Sequence, residues 1–297
     1  MRLSTLRCPG GRTTAAYWDG DELVELPYDD VGALLSSSPD WQAFVDGHDG
    51  PRVARADAQF ETLVPRPDKI ICLGLNYASH IAEMGRPTPL YPTLFAKYRA
   101  SLIGSYDDIH MPAVSDDLDW EAELGVVIGH AGRNLRPSNA LQHVAGYTVV
   151  NDVTVRDWQH RTREFLSGKT FESTTPVGPA LVTTDELPAG AAGLDIGCSV
   201  EGRTMQRSNT DDLLFDVANT VAYISTIITL LPGDVIAMGT PGGVGAGQEP
   251  PLFLREGQVL RTWVEHIGEV LNTVVKDHSD ADWGQPARGR HPLARGI

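Results

Sequence analysis

The sequence is poor in cysteine and in basic residues, and it has no long apolar run. Its cysteines, Cys8, Cys72 and Cys198, lie far apart without a CxxC motif, which argues against a disulfide framework and a zinc site. Lysine and arginine number 24 against 39 acidic residues, and the net charge of −15 argues against nucleic acid or an anionic membrane as a partner. The sequence contains neither a signal-peptide core nor a membrane-spanning run, so we expect a soluble, cytoplasmic protein.

The composition is that of a globular protein. The chain has 297 residues, of which 41% are hydrophobic and 21% are charged, enough for a substantial core. Residues 1–65 combine short strand-like runs with turn signals such as Pro9-Gly10-Gly11, which predicts a small, β-rich N-terminal domain. A larger domain is expected to follow a linker near residues 65–68. Residues 277–297 have no apolar periodicity and are expected to form an irregular tail.

An acidic strand is the most informative stretch, DWEAELGVVIGH from Asp119 to His130. Alternation along a strand places Glu121 and Glu123 on one face, and Ala122 and Leu124 on the opposite, apolar face. Two carboxylates on one face repel each other unless a cation lies between them, and a hard divalent cation prefers such oxygen ligands. On this stretch alone, a half-exposed strand with a solvated acidic end is the simpler alternative.

Two earlier segments carry candidate catalytic groups. His80 and Glu83 lie three residues apart in a short predicted helix, so they can share one face, and a histidine oriented by a carboxylate can act as a general base. An ordinary surface pair is the alternative interpretation. Lys97 ends the strand-like run TLFAK, where exposure to solvent is the default expectation.

A second polar segment follows the predicted strand Tyr147–Val150. Asp152 lies just beyond this strand and becomes a third carboxylate beside Glu121 and Glu123 if the two strands pair. A helix starting near Asp152 would place Arg156 and Gln159 on the same face as the aspartate, with Lys169 following a Ser-Gly break. Such donors can stabilise an oxyanion. The alternative is a helix salt bridge between Asp152 and Arg156, worth about 0.3–0.5 kcal/mol when exposed.

The last third of the chain is predicted to be rich in strands around one long helix. A hairpin is expected at Glu201-Gly202, and apolar residues at helical spacing predict a helix over Asn209–Leu231. The segment LLPGDVIAMGTPGGVGAG contains neither a P-loop nor a GxGxxG motif. We interpret it as backbone lining a site, with Thr240 available to hydrogen-bond a ligand.

Six motifs in order resemble those of the fumarylacetoacetate hydrolase family, over about residues 69–275. They are GLNYxxHxxE (74–83), ExE (121–123), NDxxxRDxQ (151–159), the GK-T-F segment (168–171), PVGP (176–179) and LxPGDVIxxGTPGGVG (230–245). The resemblance implies an α+β, mostly β fold with a mixed β-sandwich or β-roll catalytic domain, a homodimer, and a divalent metal, Mg²⁺ or else Mn²⁺ or Ca²⁺.

The resemblance also implies roles for individual residues. The metal carboxylates correspond to Glu121, Glu123 and Asp152. The catalytic groups correspond to His80, Glu83 and Lys169, and the substrate-binding groups to Arg156, Gln159, Thr240 and Lys97.

These residues lead to a hypothesis of mechanism for a small anionic 2-oxo acid. The metal chelates the 2-oxo acid end of a 1,3-diketo acid of the acylpyruvate or fumarylpyruvate type. His80, oriented by Glu83, deprotonates a water, and the hydroxide attacks the distal carbonyl. The C–C bond then breaks and the leaving group departs as a metal-bound enolate. Oxaloacetate decarboxylation and isomerisation of a 2-hydroxy-dienedioate are alternatives at the same site. A non-catalytic module that binds a metal or small molecule is a second alternative.

Overall fold

The computed structural model describes residues 1–83 and 87–278, with only the backbone for residues 80, 82 and 83. The strands are β1 (Arg2–Cys8), β2 (Arg12–Asp19), β3 (Glu22–Glu25), β4 (Arg52–Ala54), β5 (Ile70–Gly74), β6 (Thr93–Ala96), β7 (Leu102–Ile103), β8 (Ile109–Met111), β9 (Leu118–Asp119), β10 (Ala122–Ile128), β11 (Val144–Asn151), β12 (Thr154–Val155), β13 (Thr175–Thr183), β14 (Asp195–Val200), β15 (Arg203–Asn209), β16 (Val235–Ala237), β17 (Val259–Val264) and β18 (Gly268–Lys276).

The helices are short, apart from one. They are α1 (Val31–Ser37), α2 (Trp41–Asp46), α3 (Ala78–Glu83), α4 (Pro137–Ala140), α5 (Arg156–Gln159), α6 (Leu166–Lys169) and α7 (Val217–Ile227), together with 3-10 turns such as Gly245–Gly247. In the part of the chain that the structure describes, no helix is both long and apolar enough to cross a bilayer.

A large mixed sheet forms the centre of the molecule. Its strand order is β4-β3-β2-β1-β13-β11-β10-β16-β5-β6, with β7 beside β13, and a second sheet has the order β15-β14-β17-β18-β8. Most neighbours are antiparallel, but β16 and β5 run parallel. This arrangement confirms the α+β, mostly β fold expected from the sequence.

Strand β10 lies near the middle of the large sheet, between β11 and β16, and all its residues are buried. Leu124 and Val126 pack in one hydrophobic cluster and Val127 packs in another, so both faces of the strand are covered. Each such side chain contributes about 1.5–3 kcal/mol when it is removed from water. The half-exposed strand considered above is therefore wrong.

The N-terminal residues continue the large sheet. Strand β1 pairs with β13, with Arg2 opposite Val182. Arg7 on β1 donates to Asp107 at 2.5 Å and to Glu61 at 2.8 Å, which adds ion pairs to the backbone contact. The division into a domain of residues 1–65, a catalytic domain and a tail stays a prediction, and most of the tail lies outside the described residues.

The long helix is shorter than its apolar pattern predicts. Helix α7 begins at Val217, because the carboxylate of Asp216 caps it by accepting from the Asn219 amide at 2.7 Å. Asn209 caps a separate 3-10 turn instead. The hairpin at Glu201-Gly202 forms as expected between β14 and β15.

Candidate functional site

Four chain segments meet at one edge of the large sheet. Strands β5 and β16 are parallel, so the residues that follow them leave the sheet at the same edge. Strand β10 is antiparallel to both β16 and β11, and Ala122 pairs with Asn151. The beginning of β10 therefore lies beside the end of β11, and this register brings Glu121 next to Asp152.

Three carboxylates converge at this edge. One oxygen each from Glu121, Glu123 and Asp152 lie within 4.8 Å of one another. Glu123 and Asp152 are fully buried and Glu121 is only 6% exposed, so a solvated acidic end is wrong. The Asp152 amide donates to the Glu121 carbonyl at 2.9 Å, which fixes the two backbones relative to each other.

Two lysines compensate the charge of these carboxylates. The Lys169 ammonium lies 2.6 Å from Glu121 Oε2 and 2.7 Å from Asp152 Oδ2. Lys97 lies 2.5 Å from Asp152 Oδ1. Both lysines are buried, so the expectation that Lys97 is exposed to solvent is wrong.

Arg156 reaches the site by a different route from the one its spacing predicts. Residues Thr154–Val155 pair with β9, and helix α5 begins only at Arg156. The expectation that Asp152 and Arg156 share a helical face is therefore wrong. The guanidinium Nη1 instead lies 2.7 Å from Glu121 and donates to Gln159 Oε1 at 2.9 Å. Arg156 is almost fully buried, so its ion pair is not the exposed helix salt bridge considered above.

The charges around these groups shift their pKa values. Burial raises the pKa of Glu121, but Lys169 and Arg156 outweigh it and lower that pKa to about 2. Burial and the neighbouring charges of Asp152 and Glu121 raise the pKa of Glu123 well above its ordinary value. Burial lowers the pKa of Lys169, but Asp152 and Glu121 outweigh it, so the net shift is upward and the side chain is a cation.

The carboxylates fit a divalent metal ion. Glu123 Oε2 accepts from the Gly239 amide at 2.8 Å, whereas no donor among the described residues reaches its buried Oε1. An unpaired carboxylate oxygen in a buried acidic cluster suits a hard cation. Arg156 and Lys169 each take up one lone pair on an oxygen of Glu121 or Asp152. A carboxylate oxygen has a second lone pair, so each of these oxygens can still bind a metal ion.

A cavity of about 360 Å³ opens onto this cluster. Its lining includes polar side chains, among them Glu121, Arg156, Gln159, Lys169 and Thr240. It also includes apolar side chains, and these are Leu73, Leu75, Phe95, Phe165 and Val244. Glu123, Asp152 and Lys97 are not part of the lining. The cavity therefore combines convergent charged groups with apolar side chains, as small-molecule sites do.

The loop that leads into α3 is anchored to the site. Asn76 donates to the carbonyls of Met238 and Phe215, which ties this loop to the segment after β16. The backbone of α3 carries His80 and Glu83, and the side chains of both lie outside the described residues.

Two buried polar residues join the site without having been predicted. Gln206 donates to the hydroxyl of Thr240 at 2.9 Å, and no motif in the sequence indicates it. Asp119 accepts from Arg156 Nε at 2.7 Å. It lies two residues before Glu121, and the same alternation that groups Glu121 with Glu123 could have indicated it.

Comparisons with known proteins agree with these motifs. Residues 69–275 match the fumarylacetoacetate (FAA) hydrolase C-terminal domain. Oxaloacetate tautomerase FAHD2A, mitochondrial, from Bos taurus is 43% identical over 227 residues, which are 76% of this chain and 72% of that protein.

Solved structures share the fold over most of the chain. A fumarylacetoacetate hydrolase from Exiguobacterium antarcticum has a TM-score of 0.83 and 33% identity, covering 93% of this chain and 100% of that one. A maleylpyruvate hydrolase from Sphingobium sp. SYK-6 has a TM-score of 0.77 and 29% identity, with the same coverage. The chain therefore belongs to the fumarylacetoacetate hydrolase family, whose similar members are enzymes.

Proposed function

We propose that the protein binds a small anionic 2-oxo acid and converts it to an enol, with keto–enol tautomerisation of a 2-oxo diacid such as oxaloacetate as its reaction. One observation carries the proposal. The buried Arg156 Nη2 has no acceptor among the described residues, although Arg156 lines the cavity. A substrate carboxylate would satisfy this donor through a charge-assisted hydrogen bond. The bovine relative's name supports oxaloacetate as the first substrate to test.

The charge balance of the site also supports an anionic substrate. The cations Lys97, Lys169 and Arg156 face the metal-site carboxylates and Asp119. With a divalent ion bound and all four carboxylates ionised, the three positive side chains and the ion together outweigh the carboxylates, so the net charge of the site is positive. An acidic protein can therefore attract an anion locally. The ion, proposed to be Mg²⁺ or else Mn²⁺ or Ca²⁺, would supply Lewis-acid polarisation of the 2-oxo group.

The side chains have separate proposed tasks. Arg156 binds the substrate carboxylate, and Gln159, hydrogen-bonded to Arg156 Nη1, steadies it. His80, oriented by Glu83, removes a proton from C3, and the electron pair of the C–H bond forms the C2–C3 double bond. The negative charge moves to the 2-oxo oxygen, where the Lys169 cation stabilises it. The proton then passes from His80 to that oxygen, which completes the tautomerisation without a further reactant.

Hydrolysis of a C–C bond in an acylpyruvate or fumarylpyruvate is the second candidate. It is favoured by the similarity to a maleylpyruvate hydrolase and by the apolar side chains that line the cavity, which suit an acyl group better than a second carboxylate. In that reaction His80 would deprotonate water, and the same cations would stabilise the enolate that leaves. Decarboxylation of oxaloacetate and dienedioate isomerisation stay predictions, as does a purely binding module.

One assay series separates these reactions. The purified protein with Mg²⁺ is given enol-oxaloacetate, whose absorbance reports tautomerisation, while lactate dehydrogenase and NADH detect pyruvate from oxaloacetate or an acylpyruvate. We expect accelerated tautomerisation that is lost in EDTA and in Lys169→Met. It should be kept in Glu61→Gln, a control at a half-buried carboxylate that pairs with Arg7. Turnover that survives both EDTA and Lys169→Met would refute the proposal. Pyruvate release from acylpyruvate without tautomerisation would favour the second candidate.

The expected partners are proposals as well. We propose a homodimer that acts on a small 2-oxo acid and binds neither nucleic acid nor membranes. A cytoplasmic location stays a prediction, and the name of the bovine relative assigns that protein to mitochondria.

A further inference from the structure

Asp119 is a buried carboxylate whose acceptor positions are all in use. It ends strand β9 and is 0% exposed. Its Oδ1 accepts from the amides of Trp120 at 2.8 Å and Gly245 at 2.7 Å. Its Oδ2 accepts from Arg156 Nε at 2.7 Å and from the Ala246 amide at 2.9 Å. One carboxylate thus receives four hydrogen bonds from three separate parts of the chain.

These hydrogen bonds join two segments of the chain that line the cavity. Arg156 lines it from α5, and Ala246 and Gly247 line it from the glycine-rich segment. The approach is close enough to require glycine, because a Cβ at Gly245 would lie 2.7 Å from Asp119 Oδ1 and 1.8 Å from the Leu252 carbonyl oxygen. The turn at Gly245–Gly247 and the guanidinium therefore share one anchor.

We propose that Asp119 is a positioning residue: it anchors the Gly245–Gly247 turn, and it holds Arg156 in the geometry with which this guanidinium binds the substrate carboxylate. Asp119 holds the guanidinium at Nε, while Glu121 and Gln159 hold it at Nη1. Two held nitrogens fix the plane of a rigid guanidinium, so the unpaired Nη2 keeps one direction. The inference rests on the proposed function, in which Arg156 binds that carboxylate.

Asp119→Asn tests this role at nearly constant volume. An asparagine has one acceptor oxygen and one donor nitrogen. In either orientation of the amide, two of the four hydrogen bonds are lost, and the asparagine NH2 group points at two groups that are themselves donors. Losing charged hydrogen bonds of this kind is expected to weaken anion binding between about tenfold and a hundredfold. KM should rise more than kcat falls, because the carboxylate that Arg156 binds does not react, so its binding contributes equally to the ground state and the transition state.

The experiment is a double-mutant cycle with oxalate as the probe, a dianion whose binding to the Mg²⁺-loaded protein is measured by calorimetry. If Asp119 acts through Arg156, oxalate binding in the double variant Asp119→Asn/Arg156→Lys should be within about twofold of that in Arg156→Lys alone. Asp234→Asn is the matched control, because Asp234 is also a buried aspartate that accepts two backbone amides and pairs with a lysine, at the other end of β16. It should bind oxalate like the unmodified protein.

Several results would overturn the inference. One is that Asp119→Asn binds oxalate as tightly as Asp234→Asn does. Another is that the losses of oxalate affinity caused by Asp119→Asn and by Arg156→Lys multiply in the double variant. Should Asp119→Asn not fold, hydrogen exchange in Arg156→Lys decides: the Gly245 and Ala246 amides should exchange faster than in the parent, and unchanged exchange contradicts the shared anchor. A parent protein that neither binds oxalate nor turns over a 2-oxo acid would instead refute the proposed function, and the exchange measurement would still test the anchor.

Discussion

Replacing Lys169 with methionine should destabilise the protein strongly in EDTA and much less in Mg²⁺. The Lys169 side chain is 2% exposed and pairs with the buried carboxylates of Glu121 and Asp152. Removing one partner from a buried ion pair costs about 3–5 kcal/mol, because the remaining charge stays buried without compensation. We expect a loss of that size in the metal-free protein.

Magnesium should recover part of this loss. The ammonium and the metal ion both neutralise the charge of Glu121 and Asp152, so Lys169→Met is expected to bind Mg²⁺ more tightly than the parent does. Each tenfold gain in affinity returns about 1.4 kcal/mol once the site is saturated. Turnover should not recover with stability, because methionine cannot stabilise an enolate oxygen.

Urea unfolding of parent and variant, each in EDTA and in saturating Mg²⁺, measures these differences. Lys69→Met is the control, because Lys69 is 14% exposed and pairs with the buried Asp234 at 2.9 Å, away from the carboxylates. Its loss of stability should be the same in both buffers. The reasoning is refuted if Lys169→Met loses equal stability with and without Mg²⁺, or if it loses less than about 1 kcal/mol, as an exposed pair would.

Three further predictions concern the metal site, the N-terminal contact and the core. Glu123→Gln should weaken Mg²⁺ binding, as measured by calorimetry, by more than the 10–100-fold that is typical for residues that contact a metal ligand rather than the metal. Unchanged affinity would exclude Glu123 as a ligand. Burial raises the pKa of Asp107, but Arg7 and the Gly104 amide outweigh it and lower the pKa. The carboxylate therefore contributes stability above its unfolded pKa of about 3.9 and loses it as pH falls through the lower folded pKa. Asp107→Asn should thus cost about 1 kcal/mol at pH 7 in urea unfolding, with a difference that vanishes in acid; a constant difference would contradict the assignment. Leu124→Ala should cost about 2–5 kcal/mol, and a cost below 1 kcal/mol would contradict the packing of β10.

The sequence predicts which carboxylates share a face, but not how deeply they lie. Alternation correctly groups Glu121 with Glu123, since that depends only on the geometry of a strand. Their burial depends on β10 lying between β11 and β16, and β16 begins only at Val235, far along the chain. The local pattern carries no information about such neighbours, and for this reason an exposed acidic end is the simpler interpretation from the sequence alone.

Boundaries of elements are predicted less well than the elements themselves. The residues after Asp152 have helical spacing, yet Thr154–Val155 pair with β9 before a helix can start. Asp152 and Arg156 do contribute to the same site, as the sequence predicts, but a short strand connects them instead of a shared helical face. Gln206 holds Thr240 from another sheet, a long-range contact for which no periodicity exists.

The parallel pairing of β5 with β16 has a consequence for how this architecture can diversify. The charged centre depends on strand register, whereas Leu75 and Phe165, which also line the cavity, lie outside the strands and helices. Replacing those two side chains with others would change the shape of the cavity around the far end of a 2-oxo acid, while the reacting end would contact the same groups. A single sheet can thereby serve several chemistries in a lineage, each distinguished by its loops.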